Sequence, residues 1–547
     1  MRGFFKKVYK SMENNICESK KVFRMSWQLY LPIAILLVYI ALGYVCYVIC
    51  PIEWPLRYDK RTMWYILLVM LFLFVGYIFG TRGYKKRNIK YIEFSITKFY
   101  NILLLTGGVL YLPTSFYKTG KIIPPVINSL ISPGKQYFET LERIQNRPGY
   151  INLLGCFYII TYAVVIVTYF YWTELNKKQK VFGGILFILY LLLELSTGKN
   201  IGIVTLTTSI IVCCCAKMCA DKEKKNAWKY IVITMLLLVS MMSIFVYILK
   251  SRTGYSVGNE EIYASNVQNY GKDEGQIQEI TNENVVSENT ENTENTENKE
   301  NKDTEELLKN CPEADRDTIL LTYSTYQNYE KNYEANFSNS AEYIFQDYIN
   351  NSGLVSDYYR FPDALSYLHV DNEVYLRVPD NLKFLYAMGT IYLSNGYHGL
   401  SLALYLPWDC SYGLGHLKAV QYYLDKLFGI GGDVPSYENK LNEIGWPVGL
   451  RWGTVFIQFA SDFSFFGSLV VMFLMGWLLA KLWMEVVAGG NPISVVLFAF
   501  YCVQFFFITS WWYAGLTRGY FITFYIPLVI WIIQRLVINR QRKNYSE

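Results

Sequence analysis

Several catalytic motifs are missing from the sequence, and their absence removes whole classes of function. The chain has no Gly-rich phosphate loop, no GxGxxG turn and no GxSxG nucleophile elbow. ATP hydrolysis and nucleotide-sugar chemistry on a cytoplasmic face are therefore disfavoured. No basic segment is long or interleaved with exposed aromatic residues, which disfavours nucleic-acid binding.

The sequence also lacks cysteines and histidines at the spacings typical of metal sites. None of the eleven cysteines forms a CxxC pair or a Cys/His pattern of the kind that holds zinc, so no metal is expected. Most cysteines lie in or beside apolar runs, which is typical of small buried hydrophobic residues. Only Cys311 and Cys410 fall in the large polar segment between residues 250 and 463, and a disulfide between them is left open by the sequence.

What the chain has instead is apolar residues, 52% of the total, gathered in long runs almost free of charge. A helix of ~20 such residues crosses the ~30 Å hydrocarbon core of a bilayer, and these runs are too long and continuous for barrel strands. The sequence therefore predicts an all-α, polytopic integral membrane protein with about ten transmembrane helices. We place these spans at residues 28–50, 63–80, 94–112, 150–172, 180–197, 201–217, 229–249, 464–486, 493–513 and 519–537.

The lysines and arginines orient these spans. Basic clusters occupy the N-terminal segment 1–27, the C-terminal tail 538–547 and three connections, TRGYKKRNIK, ELNKKQK and DKEKKNAWK. With ten spans all five clusters fall on one side, so we expect both termini to be cytoplasmic. The membrane domain then comprises spans 1–7 over residues 28–249 and spans 8–10 over residues 464–537.

This orientation puts the long connection 250–463 outside the cytoplasm. Residues 257–310 are polar and acidic and have no apolar face to bury, which predicts disorder. From residue 311 aromatic and apolar residues return, which favours a helical cap. The stretch 387–408 is apolar but contains Gly389 and Gly396, and we interpret it as a re-entrant or membrane-surface pair of helices.

Polar residues at the outer ends of the spans are the candidate functional groups, because such residues are costly near lipid. Lys199 lies in the short turn ELSTGKNIG between spans 5 and 6, and Arg252 lies just past span 7. Each residue also has a purely structural explanation. Lys199 would be a hairpin lysine whose side chain extends to the membrane interface, and Arg252 would anchor the end of its helix. A cation aimed at a lipid phosphate is the functional alternative.

All three histidines of the chain, His369, His398 and His416, fall within the same loop, which favours acid–base use because histidine titrates near neutral pH. A structural role remains the alternative for each of them. Asp462, at the start of span 8, could pair with a basic residue or cap the helix. Aromatic residues are dense here, Tyr397 and Trp452 among them, and their faces suit sugars and lipid interfaces alike.

Three segments resemble the bacterial oligosaccharide repeat-unit polymerases (Wzy-type), which build O-antigen, capsule and exopolysaccharide. They are the outer turn STGKN, the pair NGYHGLSLAL and YGLGH, and RWGTVFIQFASDFSFFGS leading into a span. Two positions depart from the family pattern. Lys199 stands where an arginine is usual, and the last motif reads DFSFFG where the family has DFGxxG.

The resemblance implies a membrane-embedded, metal-independent, GT-C-like glycosyltransferase without cofactors in the bacterial cytoplasmic membrane. It would join undecaprenyl-diphosphate-linked oligosaccharides at the outer face, alongside a chain-length regulator and a flippase. A lipid-linked oligosaccharide flippase or exporter, and an O-antigen-ligase-like transferase, are the alternatives. The implied catalytic residues are His398, His416 and Asp462, with one histidine as the base. The implied diphosphate- and substrate-binding residues are Lys199, Arg252, Arg360, Arg451, Tyr397 and Trp452.

Overall fold

The computed structural model describes residues 16–19, 26–50, 52, 54, 56–82, 89–92, 95–145, 151–220, 227–253, 373–430, 434–444, 446, 448, 452–489 and 491–544. In chain order the helices are α1 (Ser26–Ile49), α2 (Lys60–Thr81), α3 (Ile96–Thr119), α4 (Val126–Ile131), α5 (Pro133–Gln145), α6 (Tyr158–Phe170), α7 (Lys177–Leu195), α8 (Asn200–Ala220), α9 (Ala227–Thr253), α10 (Glu373–Arg377), α11 (Asp380–Ala403), α12 (Lys418–Phe428), α13 (Tyr437–Glu443), α14 (Val455–Val487), α15 (Pro492–Phe506), α16 (Tyr513–Leu516) and α17 (Arg518–Asn544). A 3-10 helix (Ile151–Phe157) precedes α6.

The predicted fold class, an all-α polytopic membrane protein, is confirmed. Each of the ten predicted runs coincides with a helix. Seven helices in the described residues, α1, α2, α3, α8, α9, α14 and α17, are long and apolar enough to cross a membrane. The apolar helices Leu154–Phe170 and Pro492–Phe506 are shorter, and α7 begins with the charged sequence KKQK.

Contacts between helix ends show that the long helices run in alternating directions. The loop after α11 joins the start of α2, because the Tyr405 hydroxyl donates to Asp59 at 2.8 Å. At the opposite end of the molecule the Trp483 indole, near the end of α14, donates to the carbonyl of Gln28 at 3.0 Å. A buried pair, Lys118–Glu194, joins the ends of α3 and α7. This arrangement fits the ten-span topology.

Two features differ from the sequence-based expectations. The stretch 387–408 is not a pair of helices, because α11 runs through Gly389 and Gly396 without a break. A helical glycine costs only ~1 kcal/mol, and Gly396 is needed for packing, since a Cβ there would lie 1.8 Å from the Thr509 carbonyl oxygen. The chain also contains two four-residue strands, β1 (Ile16–Ser19) and β2 (Ile89–Ile92), which pair antiparallel.

The closest helix packing is between α2 and α14. A Cβ on Gly76 would lie 1.9 Å from the carbonyl oxygen of Phe473, and a Cβ on Gly476 would lie 2.1 Å from the carbonyl oxygen of Leu73. Small residues therefore let the two backbones touch, which is how apolar helices gain packing energy within lipid. The Tyr65 hydroxyl also bonds Ser468 Oγ at 2.6 Å across the same interface.

We expect Gly76→Ala to lower the thermal stability of the purified protein in detergent by an amount equivalent to about 1–3 kcal/mol, because the added methyl forces the helices apart. Gly108→Ala in α3 is the matched control, since nothing lies within 4 Å of a Cβ there. The control should be neutral or slightly stabilising, as expected for alanine in an open helical position. Equal melting temperatures for the two variants would contradict the packing described here.

Candidate active site

The carboxylate of Asp462, in the first part of α14, is the centre of a densely hydrogen-bonded polar site. It accepts backbone N–H bonds from Gly413 at 2.8 Å, Gly415 at 3.0 Å and His416 at 2.9 Å. The loop between α11 and α12 can wrap around it because the backbone at Gly413 has a φ of +86°. Three N–H donors converge on one buried anion, which satisfies it without a cation.

The same carboxylate also binds the ring of His416, with 2.5 Å between Asp462 Oδ2 and His416 Nδ1. The Asp462 side chain has no solvent exposure, whereas 13% of the His416 side chain is exposed. The ring rests against Phe459, with the centroids 4.9 Å apart. An ionised carboxylate can only accept, so the Nδ1 nitrogen carries the proton of this hydrogen bond, and in a neutral ring Nε2 then presents its lone pair. This is the orientation of a histidine base held by an aspartate.

Two residues after Asp462, α14 is broken at Ser464, whose φ of 63° and ψ of 169° are not helical. The Ser464 hydroxyl accepts from the N–H of Gly467 at 3.3 Å and so caps the helix that follows. The reading of Asp462 as a helix cap is therefore wrong: Ser464 takes that role, which frees Asp462 for His416. Glycine favours this backbone conformation, and glycine is the residue of the family pattern DFGxxG at this position.

A second polar network fixes the far side of the loop. Lys418, at the start of α12, pairs with the buried Glu438 at 2.9 Å, and Glu438 accepts from Gln458 Nε2 at 2.9 Å. Gln458 Oε1 in turn accepts the backbone N–H of Trp512 at 2.6 Å. Four chain segments are thus tied together around the His416–Asp462 pair. In the described residues no group of three or more His, Cys, Asp and Glu side chains is placed to hold a metal ion.

Comparison with known proteins identifies the family. The family model for the O-antigen polysaccharide polymerase Wzy matches residues 11–358, well over half of the 547-residue chain. The chain belongs to the Wzy family of O-antigen polysaccharide polymerases. It is therefore a multi-pass membrane enzyme of polysaccharide biosynthesis, of the polymerising glycosyltransferase type, that acts on lipid-linked repeat units.

No curated protein and no solved structure matches the chain. The family match ends at residue 358, so the His416–Asp462 pair of this Wzy-family chain lies beyond the matched segment.

The other predicted site residues in α11 form a separate aromatic cluster. The ring of His398, 2% exposed, stacks on Trp54 at 5.2 Å and meets Trp446 edge-on at 4.7 Å. Tyr397 is buried and its hydroxyl donates to the Ile40 carbonyl at 3.0 Å. Trp452 packs against Tyr392 with the ring centroids 4.5 Å apart. These contacts are those of packed core residues, whereas His416 has an orienting carboxylate and partial exposure.

The predicted cations are placed as follows. Lys199 lies over the ring of Tyr137 in α5, at 5.9 Å, and its turn packs against α5. Arg252 lies in the last turn of α9, but its side chain is outside the described part of the chain. Arg360, Arg451 and His369 also lie outside the described residues, as do the acidic tract and Cys311. Cys410 is a free thiol whose Sγ donates to the Asp462 carbonyl at 3.4 Å.

Several residues around the site were not selected from the sequence. Glu438 lies on a polar stretch that gives no motif. Gln458 lies within the segment RWGTVFIQFASDFSFFGS, but no signal there marks the glutamine, and only the fold brings it to Glu438. Arg518, at the first position of α17, could have been found, because it is a cation at the end of a predicted span, the same signal that selected Arg252.

We expect Ser464→Gly to be more stable than Ser464→Ala by about 1–3 kcal/mol, because only glycine adopts this backbone conformation without strain. Thermal unfolding of the two purified variants measures the difference. Ser243, exposed within α9, is the control position. There the order should reverse, with the alanine variant more stable than the glycine variant by up to about 1 kcal/mol. If the alanine variant were the more stable one at both positions, α14 would be continuous at residue 464.

Proposed function

We propose that this Wzy-family enzyme polymerises undecaprenyl-diphosphate-linked oligosaccharide repeat units at the outer face of the cytoplasmic membrane, with His416 as the general base. The observation that carries the proposal is the 2.5 Å contact between His416 Nδ1 and the buried Asp462. Asp462 acts as a positioning residue, because it holds the ring and favours the proton on Nδ1. Nε2 then faces away from Asp462, where an acceptor hydroxyl can reach it.

In the proposed reaction the sugar hydroxyl of one repeat unit attacks the anomeric carbon of another. The hydroxyl proton passes to Nε2 of His416, and the new glycosidic C–O bond forms from the oxygen that loses it. The bond between the anomeric carbon and the diphosphate oxygen breaks, and its electron pair leaves with the undecaprenyl diphosphate. The activated diphosphate ester thus supplies the driving energy, and no nucleotide is needed.

An apolar groove beside His416 supports the proposal that the substrate is lipid-linked. The groove has a volume of about 160 Å³ and is lined by aromatic and aliphatic side chains of α14, α15 and α17, including Phe459 and Leu474, together with Trp512 just before α16. Phe459 contacts the His416 ring, so the groove begins next to the base. The Leu474 side chain is 53% exposed on the outer surface of the helix bundle. A polyprenyl chain could therefore enter from the bilayer side, as an apolar ligand requires.

The proposed orientation rests on the basic clusters and is supported by the helix directions. β1 and β2 bring the N-terminal segment beside the basic connection after α2, as expected if both are cytoplasmic. His416 lies with the start of α2 at the opposite end, since the loop that carries it bonds Asp59 there.

The test is the chain-length ladder of surface polysaccharide in cells that lack their own polymerase and are complemented with each variant at matched protein levels. We expect His416→Gln and Asp462→Asn to lower polymerisation about 10²–10⁴-fold, the usual contribution of a positioned acid–base group. In membranes, kcat should fall while the KM for the lipid-linked donor stays near that of the unaltered enzyme, because neither group holds the ground-state substrate.

His398→Gln is the matched control, because it makes the same chemical change in the aromatic cluster around Trp54 and Trp446. It should keep a normal ladder per molecule of folded protein. A normal ladder for His416→Gln, or loss of polymer with His398→Gln alone, would show that the base has been assigned to the wrong histidine.

A further inference from the structure

Arg518 is the cation whose position the catalytic scheme above leaves unexplained. Its guanidinium lies over the ring of Tyr423 in α12, 4.3 Å from the centroid. Its Nε and Nη1 atoms are buried and have no hydrogen-bond partner in the described part of the chain. No carboxylate among those residues pairs with it, whereas Lys118 and Lys418 each have one. Each buried N–H left without an acceptor costs about 1–3 kcal/mol, so the position is expensive unless a ligand occupies it.

The hydroxyl of Tyr423 is a second buried polar group without a hydrogen-bond partner in the described residues. Two guanidinium donors and a phenol donor thus lie on two stacked side chains, and none of the three has a hydrogen-bond partner in the described part of the chain. A ligand that only accepts hydrogen bonds and carries negative charge complements this set, and the oxygens of phosphates are such acceptors.

The Arg518–Tyr423 pair lies next to the His416 loop. A Cβ on Gly515, three residues before Arg518, would lie 1.7 Å from the His416 carbonyl oxygen, so the two backbones touch. Tyr423 belongs to α12, which begins two residues after His416. On the same side Trp512 lines the apolar groove. The cation, the base and the groove are thus parts of one region at one end of the molecule.

We propose that Arg518 and Tyr423 form the pocket that binds the diphosphate of the lipid-linked donor and stabilises it as it leaves. This assignment rests on the function proposed above. It adds to that function a specific anion site built from α12 and α17, the one place in the described residues where a guanidinium and a phenol are both buried without partners. Arginine suits this task because its planar fork can hold two phosphate oxygens at once.

The test measures binding to the purified full-length protein in lipid nanodiscs without any acceptor. The probes are undecaprenyl diphosphate, undecaprenol and inorganic diphosphate. We expect Arg518→Gln to weaken the binding of undecaprenyl diphosphate about 10- to 100-fold and to leave the binding of undecaprenol unchanged. Only the charged head group loses its partner in this variant. Tyr423→Phe, which removes a single oxygen, should weaken it severalfold and provides a second reading if the arginine variant folds poorly.

Arg61→Gln is the matched control. Arg61 lies over the ring of Tyr405, also at 4.3 Å, but its side chain is exposed at the start of α2. This variant should bind all three probes as the unaltered protein does. If Arg61→Gln and Arg518→Gln weakened the binding of undecaprenyl diphosphate equally, the cause would be a general effect of surface charge. The assignment of the diphosphate site to Arg518 and Tyr423 would then be wrong.

The remaining outcomes separate this inference from the proposed function. If the unaltered protein prefers undecaprenyl diphosphate to undecaprenol and Arg518→Gln keeps that preference, the inference fails and the polymerase proposal stands. If the unaltered protein shows no such preference, the proposed donor is wrong as well. If inorganic diphosphate binds as tightly as the lipid and depends equally on Arg518, the pocket serves a free anion and the lipid assignment is overturned.

Discussion

The structure of the candidate site depends on the buried carboxylate of Asp462 and on the donors that satisfy it. An anion without solvent exposure must be satisfied by donors, and here they are three backbone N–H groups and the His416 ring. Bringing successive N–H groups onto one oxygen pair requires a tight turn, which explains the positive φ values of Tyr412 and Gly413. It also requires α14 to present Asp462 toward the protein interior, and the break at Ser464 lies two residues further along. The strained residues of this region thus serve one electrostatic requirement.

The membrane helices supply a rigid frame for this site. The glycine contacts between α2 and α14 bring two backbones together, and the α11 aromatic cluster fills the space beside them with Trp54, His398 and Trp446. The reacting groups then sit where helices end and loops begin. Such a position suits a polymerase whose substrates are half lipid and half sugar, because the tail can stay in an apolar groove while the saccharides remain in water. In the two proposals, a cation from α17 and a base from the α11–α12 loop act on the same bond.

Much of the fold followed from the sequence, and the site followed only in part. The ten apolar runs predicted ten helices, because a backbone in lipid has few alternatives to a helix. His416 and Asp462 could be named as candidates because ionisable residues are rare near lipid. Their pairing could not, since 46 residues separate them and only the fold closes that distance. Local rules were insufficient for two elements: glycines in 387–408 suggested a break in what is one helix, and capping was one of the two roles left open for Asp462, whereas Ser464 caps the helix. His398 and His416 were indistinguishable as sequence motifs, and burial against two indoles separates them.

The central claim is that Asp462 holds the proton of His416 on Nδ1 and leaves Nε2 as the base. With only three histidines in the chain, nitrogen-15 histidine NMR of the protein in nanodiscs can read each ring, and His416→Gln assigns the signal. The account predicts a neutral His416 ring protonated at Nδ1, with a strongly deshielded proton that Asp462→Asn shifts while the other two rings stay unchanged. A His416 ring protonated at Nε2, or a signal that does not respond to Asp462→Asn, would contradict it.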